Sequence, residues 1–72
     1  MCENNFRKGV KAIIEEKGFK QKVIAEKSGI EPTAFSKKMT GNQRIFADEA
    51  ARISQTLGYS FEEIMEKGKE SA

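Results

Sequence analysis

The residues of this chain that are suited to chemistry are hydrogen-bond donors rather than catalytic groups. Thr33, Ser36 and Lys37 follow closely after Pro32, the single proline of the chain. On an exposed helix, these hydroxyl and ammonium groups offer donors for the edges of nucleobases, and the Thr methyl offers an apolar contact to thymine. The simpler alternative is that Thr33 and Ser36 are ordinary surface residues, and that Lys37 and Lys38 form a solvated face.

Catalytic and metal chemistry receive little support. The chain has no His and a single Cys, Cys2, which excludes a His/Cys zinc site, a disulfide framework and a His-based catalytic triad. Two pairs of glutamates are adjacent in sequence and therefore do not share a helical face. They are Glu15 with Glu16 and Glu62 with Glu63. We expect no enzyme activity, no cofactor, no metal and no small-molecule substrate.

Length and composition indicate one small globular domain. The chain has 72 residues, of which 38% are hydrophobic and 33% are charged, values typical of a folded soluble protein. No apolar run approaches the ~18 residues of a membrane span, and the polar residues 1–5 lack the pattern of a secretory signal. A lone Cys suits a reducing cytoplasm. We expect a cytoplasmic protein with a single domain over residues 1–72, in which 1–4 and 68–72 are flexible.

The charges are distributed unevenly along the chain. Residues 17–44 carry seven cations against two anions, a net charge of +5, whereas residues 45–72 have a net charge of −3 and residues 1–16 are neutral. The overall net charge is only +2. A basic central region beside an acidic one is the pattern expected of a surface that faces nucleic acid, although scattered lysines can also serve solubility alone.

Apolar residues at helical spacing predict five short helices. Phe6, Val10 and Ile13 recur on one helical face, and Ser60 with Glu63 forms a capping box that opens the last helix. The predicted segments are 5–17, 21–28, 32–39, 47–57 and a final helix that starts after Ser60. Glycines are expected at the ends of these helices, where a left-handed residue is common. They are Gly18, Gly29, Gly41, Gly58 and Gly68. Asn4 or Asn5 is the predicted N-cap of the first helix.

The second and third predicted helices have the features of a helix-turn-helix. Ala25 provides a small side chain where two crossing helices approach each other, and Gly29 suits a left-handed turn. Ile30 and Phe35 are expected to anchor the turn and the following helix in the core. Two helices in this motif cross at about 90–120°, which leaves the second free to enter a groove.

These residues resemble a known family. The segment 21–30 followed by Thr33-Ala34-Phe35-Ser36 is similar to the helix-turn-helix of phage repressor and Cro-like transcriptional regulators, the lambda-repressor-like or Xre-type fold. The segment 57–64 resembles the junction between the fourth and fifth helices of that family. The resemblance extends from Phe6 to about Lys67. It implies an all-α, compact five-helix DNA-binding domain from a phage or mobile element.

The resemblance also implies which residues meet DNA. The recognition helix would be 32–39, and its early outward positions would contact bases in the major groove. These base-contact residues are Pro32, Thr33, Ser36 and Lys37. The residues implied to hold the DNA backbone are Gln21, Lys38, Asn42, Gln43 and Arg44. Because one such helix covers a half-site, we expect a homodimer on a near-palindromic operator whose half-sites lie about 34–36 Å apart.

The sequence departs from the family pattern at three positions. Ser28 and Lys38 stand where an apolar residue is common, and Glu31 replaces the usual Ser or Thr cap of the recognition helix. A carboxylate at that position would lie close to DNA phosphates. This keeps open an alternative: a helix-turn-helix protein-interaction module, such as an antirepressor or antitoxin, with weak or no DNA binding. A membrane-surface helix at 6–17 is disfavoured, because the core needs its apolar face.

Overall fold

Helices form most of the chain between residues 3 and 70, the part that the computed structural model describes. They are α1 (Glu3–Lys17), α2 (Gln21–Lys27), α3 (Pro32–Thr40), α4 (Ala47–Leu57) and α5 (Phe61–Glu70). No β-strand occurs within residues 3–70. The prediction of an all-α domain with five helices is therefore confirmed. Cys2 and the other residues of 1–2 and 71–72 lie outside the described part.

Each helix turns one apolar face towards a shared core. Phe6, Val10 and Ile13 of α1 are fully buried, as the spacing of the sequence predicts. The radius of gyration, 10.6 Å, is close to the ~11 Å expected of a compact domain of this length. The remaining buried apolar side chains come from every other helix and the loops between them: Ile24, Ala25, Ile30, Phe35, Met39, Ile45, Ala50, Ile53, Leu57 and Ile64.

Most of the helix ends follow the local signals in the sequence. Ser60 Oγ accepts a hydrogen bond from the Glu63 N–H at 3.1 Å, and Glu63 Oε1 accepts one from the Ser60 N–H at 3.0 Å, which confirms the predicted capping box. The N-cap predicted at Asn4 or Asn5 is wrong. The first helix already begins at Glu3, so both asparagines lie in its first turn.

The most extensive helix packing joins α1 to α5, and two glycines allow it. A Cβ built on Gly9 would overlap the carbonyl group of Ile64, and one built on Gly68 would overlap the backbone of Asn5. Both glycines therefore mark a close approach of two helix backbones. The prediction that Gly68 ends a helix is wrong, because residues 68–70 continue α5 and Gly68 is buried.

Aromatic and charged contacts strengthen the same surface. The rings of Phe6 and Phe61 stack with their centroids 5.4 Å apart. Lys67 Nζ lies 3.1 Å from Glu16 Oε2 and 5.7 Å from the centre of the Tyr59 ring. None of the described helices has both the length and the apolar character needed to cross a bilayer.

Candidate nucleic-acid interface

The turn between α2 and α3 is held firmly against the rest of the domain. Gly29 has a φ of +73°, a conformation that other residues adopt at a cost. The Ile30 N–H then donates to the Ala25 carbonyl at 2.9 Å. Ser28, which is 2% exposed, donates its hydroxyl to Thr56 Oγ1 at 3.1 Å. The buried hydroxyl of Ser28 thus has a hydrogen-bond partner on α4.

The third helix has one buried side and one exposed side. Phe35 and Met39 are 0% and 3% exposed and fix the helix to the core. Thr33, Ser36 and Lys37 are all exposed, and their spacing of i, i+3 and i+4 places them on one side of the helix. The other predicted base-contact residue, Pro32, is half-buried at the first position of α3. The structure therefore brings together the three predicted donors.

The start of α3 carries an acidic group. Glu31 is the N-cap residue and is exposed, but its side chain makes no capping hydrogen bond. The carboxylate therefore stands free of the helix backbone at the end from which the exposed donors project. Gln21, a predicted phosphate contact, is exposed at the first position of α2.

The segment after α3 presents three further predicted contacts. Asn42, Gln43 and Arg44 are exposed. Their segment turns sharply because Gly41 has a φ of +92° and caps α3 in the left-handed conformation. The backbone N–H groups of Asn42 and Gln43 both donate to the carbonyl of Lys37, at 2.9 and 3.3 Å. We call residues 41–44 the post-helix loop; these bonds hold it against the last turn of α3.

Lys38, however, does not belong to the exposed set. It is only 6% exposed, and its ammonium lies 3.0 Å from Glu49 Oε1. The same Nζ donates to the Arg44 carbonyl at 3.1 Å and lies 5.5 Å from the centre of the Phe46 ring. The prediction of a phosphate contact at Lys38 is therefore corrected: its ammonium is buried and bound to Glu49 and to the Arg44 carbonyl.

Arg7 was not among the residues predicted for this site, yet it reaches the post-helix loop. Its Nε donates to the Lys38 carbonyl at 2.6 Å and its Nη2 donates to the Gln43 carbonyl at 3.1 Å. These partners are 31 and 36 residues away along the chain. A single sequence carries no signal for such a long-range contact, whereas Glu49 at the third position of α4 has the familiar spacing of a capping glutamate.

The exposed charges of residues 17–37 are mostly basic. The lysines of residues 17–37 are exposed, and Glu26 and Glu31 are the acidic residues of the same region. These lysines are Lys17, Lys20, Lys22, Lys27 and Lys37. The acidic residues of 45–72 lie on α4 and α5. There the backbone N–H of Ser60 lowers the pKa of Glu63, and the hydrogen bond with Glu16 raises the pKa of Lys67.

Comparison of the chain with protein-family models, with curated proteins and with solved structures gave no match. Among the described residues, no three His, Cys, Asp or Glu side chains are grouped so as to hold a metal ion. The interpretation of the site therefore depends on its own geometry and chemistry.

Proposed function

We propose that this protein is a sequence-specific regulator of transcription that binds double-stranded DNA, as a repressor or Cro-like protein does. The observation that carries the proposal is the division of α3 into two sides. Phe35 anchors the inner side at 0% exposure, while Thr33, Ser36 and Lys37 stand on the outer side. A helix held in this way can enter the major groove and offer its donors to base edges.

The fold we propose is the lambda-repressor-like one. Support comes from five helices with the short α2 and α3 joined by a turn at Gly29, together with the resemblance of residues 21–36 and 57–64 to that family. In this fold α3 is the recognition helix, and the loop that follows it lies along the DNA backbone.

Phosphate contacts are assigned to Gln21 and to Asn42, Gln43 and Arg44 of the post-helix loop. These four side chains are exposed, and the loop is attached to the end of α3 through the Lys37 carbonyl. Contacts to the phosphates position a protein on DNA, and base contacts supply the specificity. The loop would therefore set the register in which Ser36 and Lys37 meet the bases.

A homodimer is part of the proposal, because one recognition helix covers a half-site only. Phe46, at the start of α4, is 59% exposed, more than either of the other large exposed apolar side chains, Phe19 and Val23. It lies two residues after the post-helix loop, so a contact between two copies at Phe46 would fix the spacing of their two recognition helices. We assign the dimer contact to Phe46 and the first turn of α4.

A second function remains in competition, namely a protein-interaction module that has lost DNA binding. Two observations favour it: the exposed carboxylate of Glu31 at the start of α3, and the burial of Lys38, which withdraws one cation from the surface. Both changes weaken the attraction to phosphates.

Selection of bound duplexes from a random library, followed by sequencing, tests the proposed function. A sequence-specific regulator enriches one motif, and a dimer enriches a near-palindrome with half-sites about 34–36 Å apart, or about 10 base pairs. If the folded protein retains no duplexes, or retains them without enriching any sequence, the result would support the interaction module instead.

A further inference from the structure

Two cationic side chains from different helices donate hydrogen bonds to the backbone of the post-helix loop. Arg7 of α1 donates to the Lys38 and Gln43 carbonyls at 2.6 and 3.1 Å. Lys38 of α3 donates to the next carbonyl along the loop, that of Arg44, at 3.1 Å. Consecutive carbonyls of the loop are thus bound by different charged side chains.

Arg7 lies in a position that suits this role. Its side chain is half-buried. A Cβ built on Gly41 would lie 4.0 Å from Arg7 Nη1, and the same Nη1 donates a hydrogen bond to Asn4 Oδ1 at 3.1 Å. The guanidinium therefore lies next to the turn at Gly41, and the hydrogen bond to Asn4 helps to orient it. A planar group with several donors can bind two carbonyls in a fixed geometry, which a lysine ammonium does less well.

One of the two carbonyls that Arg7 binds, that of Lys38, lies in the last turn of α3, and the other, that of Gln43, lies in the post-helix loop. The last carbonyls of a helix lack partners within the helix and carry partial negative charge, so a cation there is favourable. Through these bonds Arg7 links the end of α3 to the loop that follows it. The positions of the loop side chains relative to the donors on α3 are therefore set before any ligand binds.

We propose that Arg7 is a positioning residue for the DNA-backbone contact: it holds the post-helix loop in the shape in which Asn42, Gln43 and Arg44 meet the phosphates. This inference rests on the proposed function. Arg7 itself touches no DNA in this account. Its contribution is to remove the cost of ordering the loop when DNA binds.

The test compares two variants of the full chain that lose the same charge. Arg7→Gln removes the loop contact, and Lys8→Gln removes an exposed neighbouring cation on α1. The probe is a fluorescent pool of short random-sequence duplexes, because phosphate contacts do not depend on sequence. We expect Arg7→Gln to bind about ten-fold more weakly than Lys8→Gln. The slope of log affinity against log salt concentration should also become shallower by about 0.9, the value for one phosphate contact. Equal affinity and slope for the two variants would overturn the proposal.

A double-mutant cycle separates positioning from general stabilisation. If Arg7 acts through the loop, Arg7→Gln has little further effect on affinity in an Arg44→Ala background. Fully additive losses would contradict the role. Should Arg7→Gln fail to fold, Arg7→Lys takes its place in the cycle, since it keeps the charge and lacks the two-carbonyl geometry.

Amide hydrogen exchange on the DNA-free variants provides a readout that does not need DNA. Faster exchange at Asn42 and Gln43, with unchanged exchange in α4, supports the positioning role; unchanged exchange at both residues overturns it. If the unmodified protein and Lys8→Gln show no salt-dependent DNA binding, the proposed function has failed. The exchange rates then still show whether Arg7 holds the loop.

Discussion

Lys38 Nζ lies 3.0 Å from Glu49 Oε1, with only 8% and 15% of the two side chains exposed. The pair connects the last turns of α3 to the first turn of α4. Glu49 Oε1 also accepts a hydrogen bond from the Phe46 N–H at 3.0 Å. One carboxylate therefore serves both as the cap of α4 and as the counterion of a buried lysine.

The first prediction concerns the loss of that lysine. Lys38→Ala leaves Glu49 without its cation in a mostly buried place, so we expect a loss of about 1–3 kcal/mol in the free energy of unfolding, less than for a fully buried pair because Glu49 keeps some water. Urea denaturation measures this loss. The double change Lys38→Met with Glu49→Gln should recover part of it. If Lys38→Ala keeps the stability of the unmodified chain but shows a shallower salt slope for DNA binding, then Lys38 contacts a DNA phosphate after all.

The second prediction concerns the close approach of α1 and α5. Gly68→Ala places a methyl group against the backbone of Asn5. Because neither backbone can move away cheaply, we expect a loss of about 1–3 kcal/mol in the free energy of unfolding. Lys69→Ala, at an exposed position of the same helix, is the matched control and should change the stability little. Equal melting temperatures for the two variants would mean that the helices do not pack as closely as described.

These two regions show what a sequence can and cannot predict. The five helices were predictable because their signals are local: apolar spacing, glycines between helices, and the Ser60–Glu63 box. The role of Gly68 depends on Asn5 at the other end of the chain. A glycine near the end of a helix has the same local appearance whether it ends the helix or lies against another one.

The candidate site likewise has features that local sequence signals predict and features that depend on packing. The exposed donors on α3 follow from helical spacing once Phe35 is assigned to the core. Lys37 and Lys38 are neighbours of the same type, and only the packing against Glu49 and Phe46 shows that one of them points inward. The contacts of Arg7 cross more than thirty residues of chain, so no local pattern indicates them.

The third prediction concerns pH. The Ser60 backbone N–H donates to Glu63 and, with the Ser60 hydroxyl, lowers the pKa of Glu63 below its ordinary value of 4.5. A lowered pKa in the folded state means that the ionised carboxylate stabilises the fold above about pH 4.5, and that this contribution is lost as the pH falls through the lowered pKa.

Glu63→Gln removes the titration while keeping an acceptor for the cap. We expect the stability of the unmodified chain to fall more steeply below about pH 4.5 than that of Glu63→Gln, as measured by thermal melts at a series of pH values. Glu62→Gln, which alters an exposed neighbour outside the capping box, should retain the steep fall. Parallel pH curves for all three proteins would count against the cap as the source of the shift.

The fourth prediction concerns base preference. Ser36→Ala and Lys37→Ala each remove a donor from the exposed side of α3, and the proposed function expects losses of about 1–3 kcal/mol confined to particular base positions. Library selection with each variant measures this directly. Lys11→Ala, on an exposed part of α1, is the control and should leave the enriched motif unchanged. A loss that is uniform over all sequences would argue against direct readout by α3.

The most direct test of DNA binding through this face is the dependence of affinity on salt, for the unmodified chain and for Arg44→Ala. We predict that the logarithm of the association constant falls linearly with the logarithm of the salt concentration, with a slope of about −0.9 for each phosphate neutralised. Arg44→Ala should weaken binding to all duplexes and reduce that slope by about one. A flat salt dependence in the unmodified chain would contradict the account.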